Sequence, residues 1–219
     1  MEKKPPLGLK TTDRHEKFES LPQERQDALL NAAVETFGLN DYKNASTEDI
    51  ARRAGISKGL LFFYFKNKSD LYLYLMERVM DKVEHFVIDE GYYAIDDFFE
   101  LFRYAAYSKR DVFEKFPYLL EYSVRAFYPQ HKDIKHTMND WMQHQIDFMF
   151  ERYFSHVNFD KFREDVDPKY VVNMMVWIAD GYLHQQLSLN KRIDMDELIH
   201  EFDRWCDMLK TYAYKEEYR

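Results

Sequence analysis

Residues 47–71, TEDIARRAGISKGLLFFYFKNKSDL, constrain this chain most, because they suit two short helices joined by a tight turn and followed at once by a third. Thr47 is placed to cap the first helix, its hydroxyl accepting an orphan backbone N–H. Ile50, Ala51 and Ala54 then make one small apolar face. Gly55 stands where a helix end takes left-handed backbone. Ile56 is read as a buried pin for the turn. Ser57 caps the next helix, with Lys58, Gly59 and Leu60 in its first turn, and an aromatic run, residues 62–65, closes it. This is helix-turn-helix grammar, in which the second helix enters the DNA major groove with its N-terminal residues on base edges.

The pattern T-x-x-I-A-x-x-A-G-I-S-x-G-x-L-(aromatic)-x-Y-F-x-x-K-x-x-L is carried by Thr47, Ile50, Ala51, Ala54, Gly55, Ile56, Ser57, Gly59, Leu61, Tyr64, Phe65, Lys68 and Leu71. It resembles the DNA-binding segment of the tetracycline-repressor (TetR) family. The resemblance covers roughly residues 22–85; beyond them only length and helical content match. It implies a homodimer on double-stranded DNA, released by a small-molecule effector. It also implies that Tyr64 and Lys68 clamp backbone phosphates. Phe62 departs from the pattern, since a tyrosine usually stands there, so packing is expected of it.

A net charge of −8 argues at first sight against a DNA partner. Its distribution answers this. Residues 43–68 hold six basic groups against two acidic ones, a net +4 that leaves −12 for the remainder. Because screening is effective beyond about 8 Å, a local basic patch suffices for phosphates. Few glycines and prolines and no run of alternating β-branched residues predict an all-α fold. The single Cys206 rules out an intramolecular disulfide framework and fits a cytoplasmic setting. The N-terminus has no apolar stretch of the kind a signal peptide needs. No segment reaches the ~18 apolar residues of a membrane span.

The expected organisation is an N-terminal three-helix head on a larger helical body for ligand binding and dimerisation. Residues 1–20 are expected to form a flexible arm, 21–68 the DNA-binding domain and 69–219 the body. Pro22 opens the head's first helix and Gly38 closes it. A long helix from Ser69 runs through Tyr72, Met76, Val79 and Val83; in proteins of the resembled family this helix transmits ligand occupancy. Further helices are expected over 95–107, from Pro117 to 127, over 131–155, from Pro168 to 188 and over 194–214.

Within the head, Thr47 is expected on a phosphate and Ser57, Lys58, Gly59 and Leu60 on bases. Lys58 suits guanine O6/N7, and Leu60 suits a thymine methyl. In the body, Phe102, Arg103, Tyr122, Trp141, Gln145, Asn173 and Trp177 are candidates for an effector pocket, and its aromatic wealth suits an apolar or aromatic ligand. Gln145 is either a satisfied core amide or a ligand contact. The strip holding Asn173 and Trp177 faces a cavity, a subunit interface or solvent. A four-helix dimer seam is expected from Val171, Met175, Ile178, Tyr182, Phe202, Trp205 and Leu209. His136, Asp140 and His144 have metal-capable spacing but share a polar helix face, so no metal and no cofactor are expected. No G-x-S-x-G, glycine-rich phosphate loop or H-E-x-x-H appears, and an enzyme is not expected. The competing reading is a DNA-binding protein with a non-transcriptional role such as nucleoid-linked cell-division control.

Overall fold

The computed structural model of the chain describes residues 12–127, 129, 131–189, 191 and 193–219, with the backbone alone at 141–149. Among them are α1 (Asp13–Glu19), α2 (Gln23–Leu39), α3 (Thr47–Arg53), α4 (Lys58–Tyr64) and α5 (Lys68–Val87). They are followed by the one-turn α6 (Glu90–Tyr93), α7 (Phe98–Lys115), α8 (Leu119–Phe127), α9 (Lys132–Tyr153), α10 (Pro168–Ser188) and α11 (Met195–Ala213). The β pairing among the described residues is one isolated antiparallel bridge, Phe162 with Tyr214. The fold is all-α.

By packing, the chain divides into two compact units. The first holds residues up to 81 together with 116–143; the second holds 82–115 and 144–219. This cut differs in kind from the functional division expected at residue 68, because α8 packs on α2 inside the first unit.

In the first unit, the expectation of a flexible arm is corrected for its last third. Residues 13–19 are helical. Thr12 caps α1 by accepting from the His15 N–H at 3.3 Å, and Asp13 and Glu16 stand in the first turn, where the helix dipole favours acids. Phe18 is fully buried, 5.1 Å from the Phe65 ring and 5.8 Å from that of Tyr74. His15 is buried too, with Nε2 3.2 Å from Asp70 Oδ1. Residues 1–11 lie outside the described residues.

Gly38 also has a different task from the one expected. It sits inside α2, whose cap is Asn40. A Cβ at Gly38 would lie 2.8 Å from the Tyr118 carbonyl oxygen and 3.0 Å from Tyr118 Cβ. Glycine is therefore required by the close approach of the chain entering α8. Tyr118 itself has a positive φ of 67°, uncommon for a bulky residue. Arg125 Nε donates to the Gly38 carbonyl at 3.0 Å, and Tyr122 Oη donates to the Tyr72 carbonyl at 2.7 Å, tying α8 to α2 and α5.

In the second unit α7 packs along α11. Phe98, Phe99, Phe162 and Tyr214 form its aromatic centre, with Phe98–Phe162 and Phe99–Tyr214 centroids both 5.1 Å apart. Edge-to-face contacts of this kind add to the area they bury. At the rim, Arg103 bridges Asp203 at 2.7 Å and Asp207 at 2.6 Å.

Candidate nucleic-acid interface

The turn between α3 and α4 follows from local chemistry. Gly55 has φ +68°. The Ile56 N–H donates to the Ala51 carbonyl at 2.9 Å and the Gly55 N–H to the Arg52 carbonyl at 3.2 Å. Both bonds of a Schellman ending are thus made, which only a residue at ease in left-handed backbone allows. Ile56 is half-buried. Ser57 then caps α4, its Oγ accepting from the Leu60 N–H at 3.1 Å. At the start of α3 the cap is Ser46, not Thr47: Ser46 Oγ accepts from the Asp49 N–H. Thr47 is the first helical residue and is half-buried.

The two ends of α4 differ in exposure. Lys58, Gly59 and Leu60 are exposed, whereas Leu61 and Phe65 are fully buried. A Cβ at Gly59 would meet only Ser57 Oγ, at 3.8 Å. Packing within the protein therefore does not demand glycine there, and its effect is to lower the outer surface of the helix. Tyr64, expected on a phosphate, is 8% exposed and packs on Phe18 and Phe63. The structure makes it a core ring, because a seven-residue helix turns residues 61, 64 and 65 towards its own unit. Phe63 is 49% exposed.

The basic patch is partly neutralised from within. Asp49 pairs with both Arg52 and Arg53, and these guanidinium groups, Arg53 foremost, hold its carboxyl below the usual range. Arg53 also reaches Glu35 at 2.7 Å, fastening α3 to α2. Lys58 Nζ lies 3.6 Å from Glu48, with both side chains mostly exposed, so the pair is easily exchanged for another anion. Lys68 Nζ donates to the Lys43 carbonyl at 3.2 Å and lies 4.8 Å from the Tyr42 ring centre. Burial pushes its pKa down.

Two basic residues missing from the expected set stand beside α4. Arg14 Nη1 donates to the Phe62 carbonyl at 2.5 Å, satisfying an orphan carbonyl at the helix end. Lys17 Nζ lies 5.2 Å from the centre of the Phe63 ring. Their signal was the Thr12 cap with acids in the following turn, read as part of a polar arm.

The candidate effector residues are divided between the two units. Tyr122 is buried in the first unit. In the second, Phe102 packs in the core, Arg103 is held in its carboxylate bridges, and Trp177 is 53% exposed beside Tyr170. Asn173 Oδ1 is buried and has no hydrogen-bond partner among the described residues. The side chains of Trp141 and Gln145 lie outside the described residues. Of the expected dimer seam, Val171, Met175 and Leu209 are buried in their own protomer's core. The apolar stripe is consumed there, so those three are corrected to core residues. Ile178, Tyr182, Phe202 and Trp205 are only half-buried. His136 and Asp140 form an exposed ion pair at 2.6 Å, and the His144 side chain lies outside the described residues. Among the described residues no cluster suits a metal ion, and no helix is long and apolar enough to cross a membrane.

Residues 29–75 match the model of the bacterial regulatory proteins of the tetR family. The chain is 39% identical over 83 residues to the HTH-type transcriptional activator FasR of Mycolicibacterium smegmatis, a match covering 37% of this chain and 35% of that protein. The chain thus spans about a third of the length of the curated relatives it matches. The fold extends further. A TetR family regulator from Chloroflexus aurantiacus superposes with TM-score 0.62 at 21% identity, covering 92% of this chain and 98% of that one. The regulator FadR of Bacillus subtilis, solved with stearoyl-CoA, gives TM-score 0.63 at 16% identity, covering 84% and 97%. The head carries the sequence match, residues 29–75 resembling the tetR family of bacterial regulatory proteins, and the whole chain shares the fold of solved regulators of that family.

Proposed function

We propose that this protein is a cytoplasmic, sequence-specific DNA-binding transcriptional regulator. It acts as a homodimeric repressor that leaves a near-palindromic operator when a small apolar or aromatic effector binds. The observation that carries this reading is the free N-terminal turn of α4. Lys58, Gly59 and Leu60 stand exposed on a helix whose other end is buried and capped by Arg14. A rigidly held helix with a bare first turn suits insertion into a major groove. Residues 21–68 serve as the reading domain and 69–219 as the responding and pairing domain. Thr47, Arg14, Lys17 and Lys68 contact phosphates.

The pairing surface takes the half-buried Ile178, Tyr182, Phe202 and Trp205, joined by the exposed Trp177 on α10 and Met208 and Tyr212 on α11. The stearoyl-CoA complex of the similar FadR supports an effector with a long apolar body. The family match supports a regulator rather than an enzyme or a nucleoid factor.

Selection of bound duplexes from a random pool at near-physiological salt tests the reading. An inverted repeat is expected, with half-sites about one helical turn (~34–36 Å) apart. Lys58→Ala then loses discrimination at one position of each half-site, by about 1–3 kcal/mol. No enrichment by folded protein, with or without candidate ligands, would overturn it.

A further inference from the structure

The aromatic run that closes α4 does not share one environment. Tyr64 and Phe65 are buried, Phe62 is half-buried, and Phe63 is 49% exposed. Leu61 and Tyr64 mark the buried side of the helix. At about 100° per residue, Phe63 falls on the opposite side, about 40° from Gly59 and about 60° from Leu60. It stands on the same outer face as the bare first turn, roughly 6 Å beyond Gly59 along the axis.

A large apolar side chain exposed by itself is ordinary. Phe63 is not by itself. Among the described residues of the first unit, the large exposed apolar side chains are Leu39, Leu60 and Phe63, and the last two share the outer face of α4. The ring is also braced. Tyr64 meets it edge-on with centroids 5.4 Å apart, and Lys17 Nζ stands 5.2 Å from its centre. Arg14 fastens the backbone of the same turn through the Phe62 carbonyl. A braced ring loses little freedom on meeting a partner. Gly59, one turn earlier on the same face, carries no side chain to hold that partner away.

We propose that Phe63 is a specificity-determining residue of the reading head: its ring packs on the 5-methyl group of a thymine in the major groove. This rests on the DNA-binding reading above and adds one base to those met by Lys58 and Leu60. The thymine methyl is the apolar feature that base edges present in that groove, and phenylalanine is among the side chains that suit it. The methyl projects from the pyrimidine edge near its own strand's backbone, which a recognition helix approaches with its later turn while its first turn meets the bases. A spacing of roughly 6 Å along the helix, against about 3.4 Å per base step, puts this thymine about two base pairs from the position met by the first turn. In that placement the Lys17 ammonium comes beside the same strand's phosphates.

A uracil scan of the selected duplex with the full-length protein tests it. Each thymine is replaced singly by uracil, which removes the methyl and keeps every hydrogen-bonding group, and affinity is read by fluorescence anisotropy. Wild type should lose about fourfold, the effect of one buried methyl, at a thymine of each half-site. That thymine should stand about two base pairs from the position that Lys58→Ala relaxes. Phe63→Ala should bind the thymine and uracil duplexes equally there, while keeping its response at every other thymine and the wild-type salt slope. Phe63→Gln, which fills the same place without an apolar end, should behave likewise and decides the matter if truncation loosens α1. Phe63→Leu should retain the preference. The proposal is overturned by the lack of a methyl-sensitive thymine at that distance, or by a sensitivity that survives Phe63→Ala or Phe63→Gln. It is overturned too by an equal loss on every sequence, which would mark a backbone contact. The parent reading fails separately. If no duplex is selected, DNA reading and thymine contact fall together. If an inverted repeat is selected and Lys58→Ala relaxes it, but the scan shows nothing that depends on Phe63, the reading head stands and this contact falls.

Discussion

The two units differ in how fully they satisfy their own polar groups. In the first, the short helices α1, α3 and α4 each begin with a side-chain cap, and the buried hydroxyls of Thr36, Tyr122 and Ser123 all donate to carbonyls. Its buried histidine has a carboxylate partner. The second unit keeps Nδ1 of His156 and Oδ1 of Asn173 buried without partners among the described residues. Natural folds bond the great majority of such groups, and exceptions concentrate where function uses them. On the proposed function, a reading head must hold one shape against DNA and a responding body must leave something for a ligand or partner to complete.

The largest effect that can break this contrast is expected at Phe18. If α1 belongs to the head, Phe18→Ala opens a cavity and costs about 3–5 kcal/mol in urea unfolding; a loss under 1 kcal/mol would return α1 to the status of an arm. Next comes Gly38→Ala, whose Cβ must displace Tyr118 backbone. It should destabilise by about 1–3 kcal/mol, and an unchanged midpoint would mean that α8 is not tightly seated. Asn173→Leu probes the other unit with the opposite sign. Removing a buried amide whose oxygen is unbonded among the described residues should raise stability by about 1–2 kcal/mol, whereas a loss would reveal a partner for it.

The smallest effect is a pH dependence. Burial raises the Asp97 pKa, but the Lys161 ammonium at 3.0 Å and the Glu100 N–H outweigh it and hold the carboxyl below its ordinary value. A depressed carboxylate contributes stability that is complete above the unfolded value of about 3.9 and lost as pH falls through the folded one. The stability gap between wild type and Asp97→Asn should therefore be flat above about pH 5 and close below pH 4. A gap that widens in acid would contradict the assignment.

The α3–α4 turn was legible in the sequence because its determinants are neighbours. Gly55, Ser57 and the apolar trio of α3 act within a few residues of one another. Lys58, Gly59 and Leu60 came out exposed for the same reason. What escaped depends on partners far along the chain. Phe18 and His15 find Phe65, Asp70 and Tyr74 some fifty positions later, and seven residues of helix give little periodicity. Gly38 reads equally well as a helix stop or as a close approach until Tyr118 is placed against it. Along α10 and α11 the apolar spacing is real, but spacing does not say whether the covering surface is the same chain or a second copy. Val171, Met175 and Leu209 proved to be the former.

The Arg14 contact with the last turn of α4 has a practical corollary. The first twenty residues look expendable, and trimming a chain to start at Leu21 is a common way to obtain a tidier sample. Here such trimming would uncap the end of α4, strip the cover from Phe65 and Tyr74 and leave Asp70 without its histidine. A shortened protein that failed to bind DNA would then report the damage done by the cut and not the chemistry of the exposed first turn of α4.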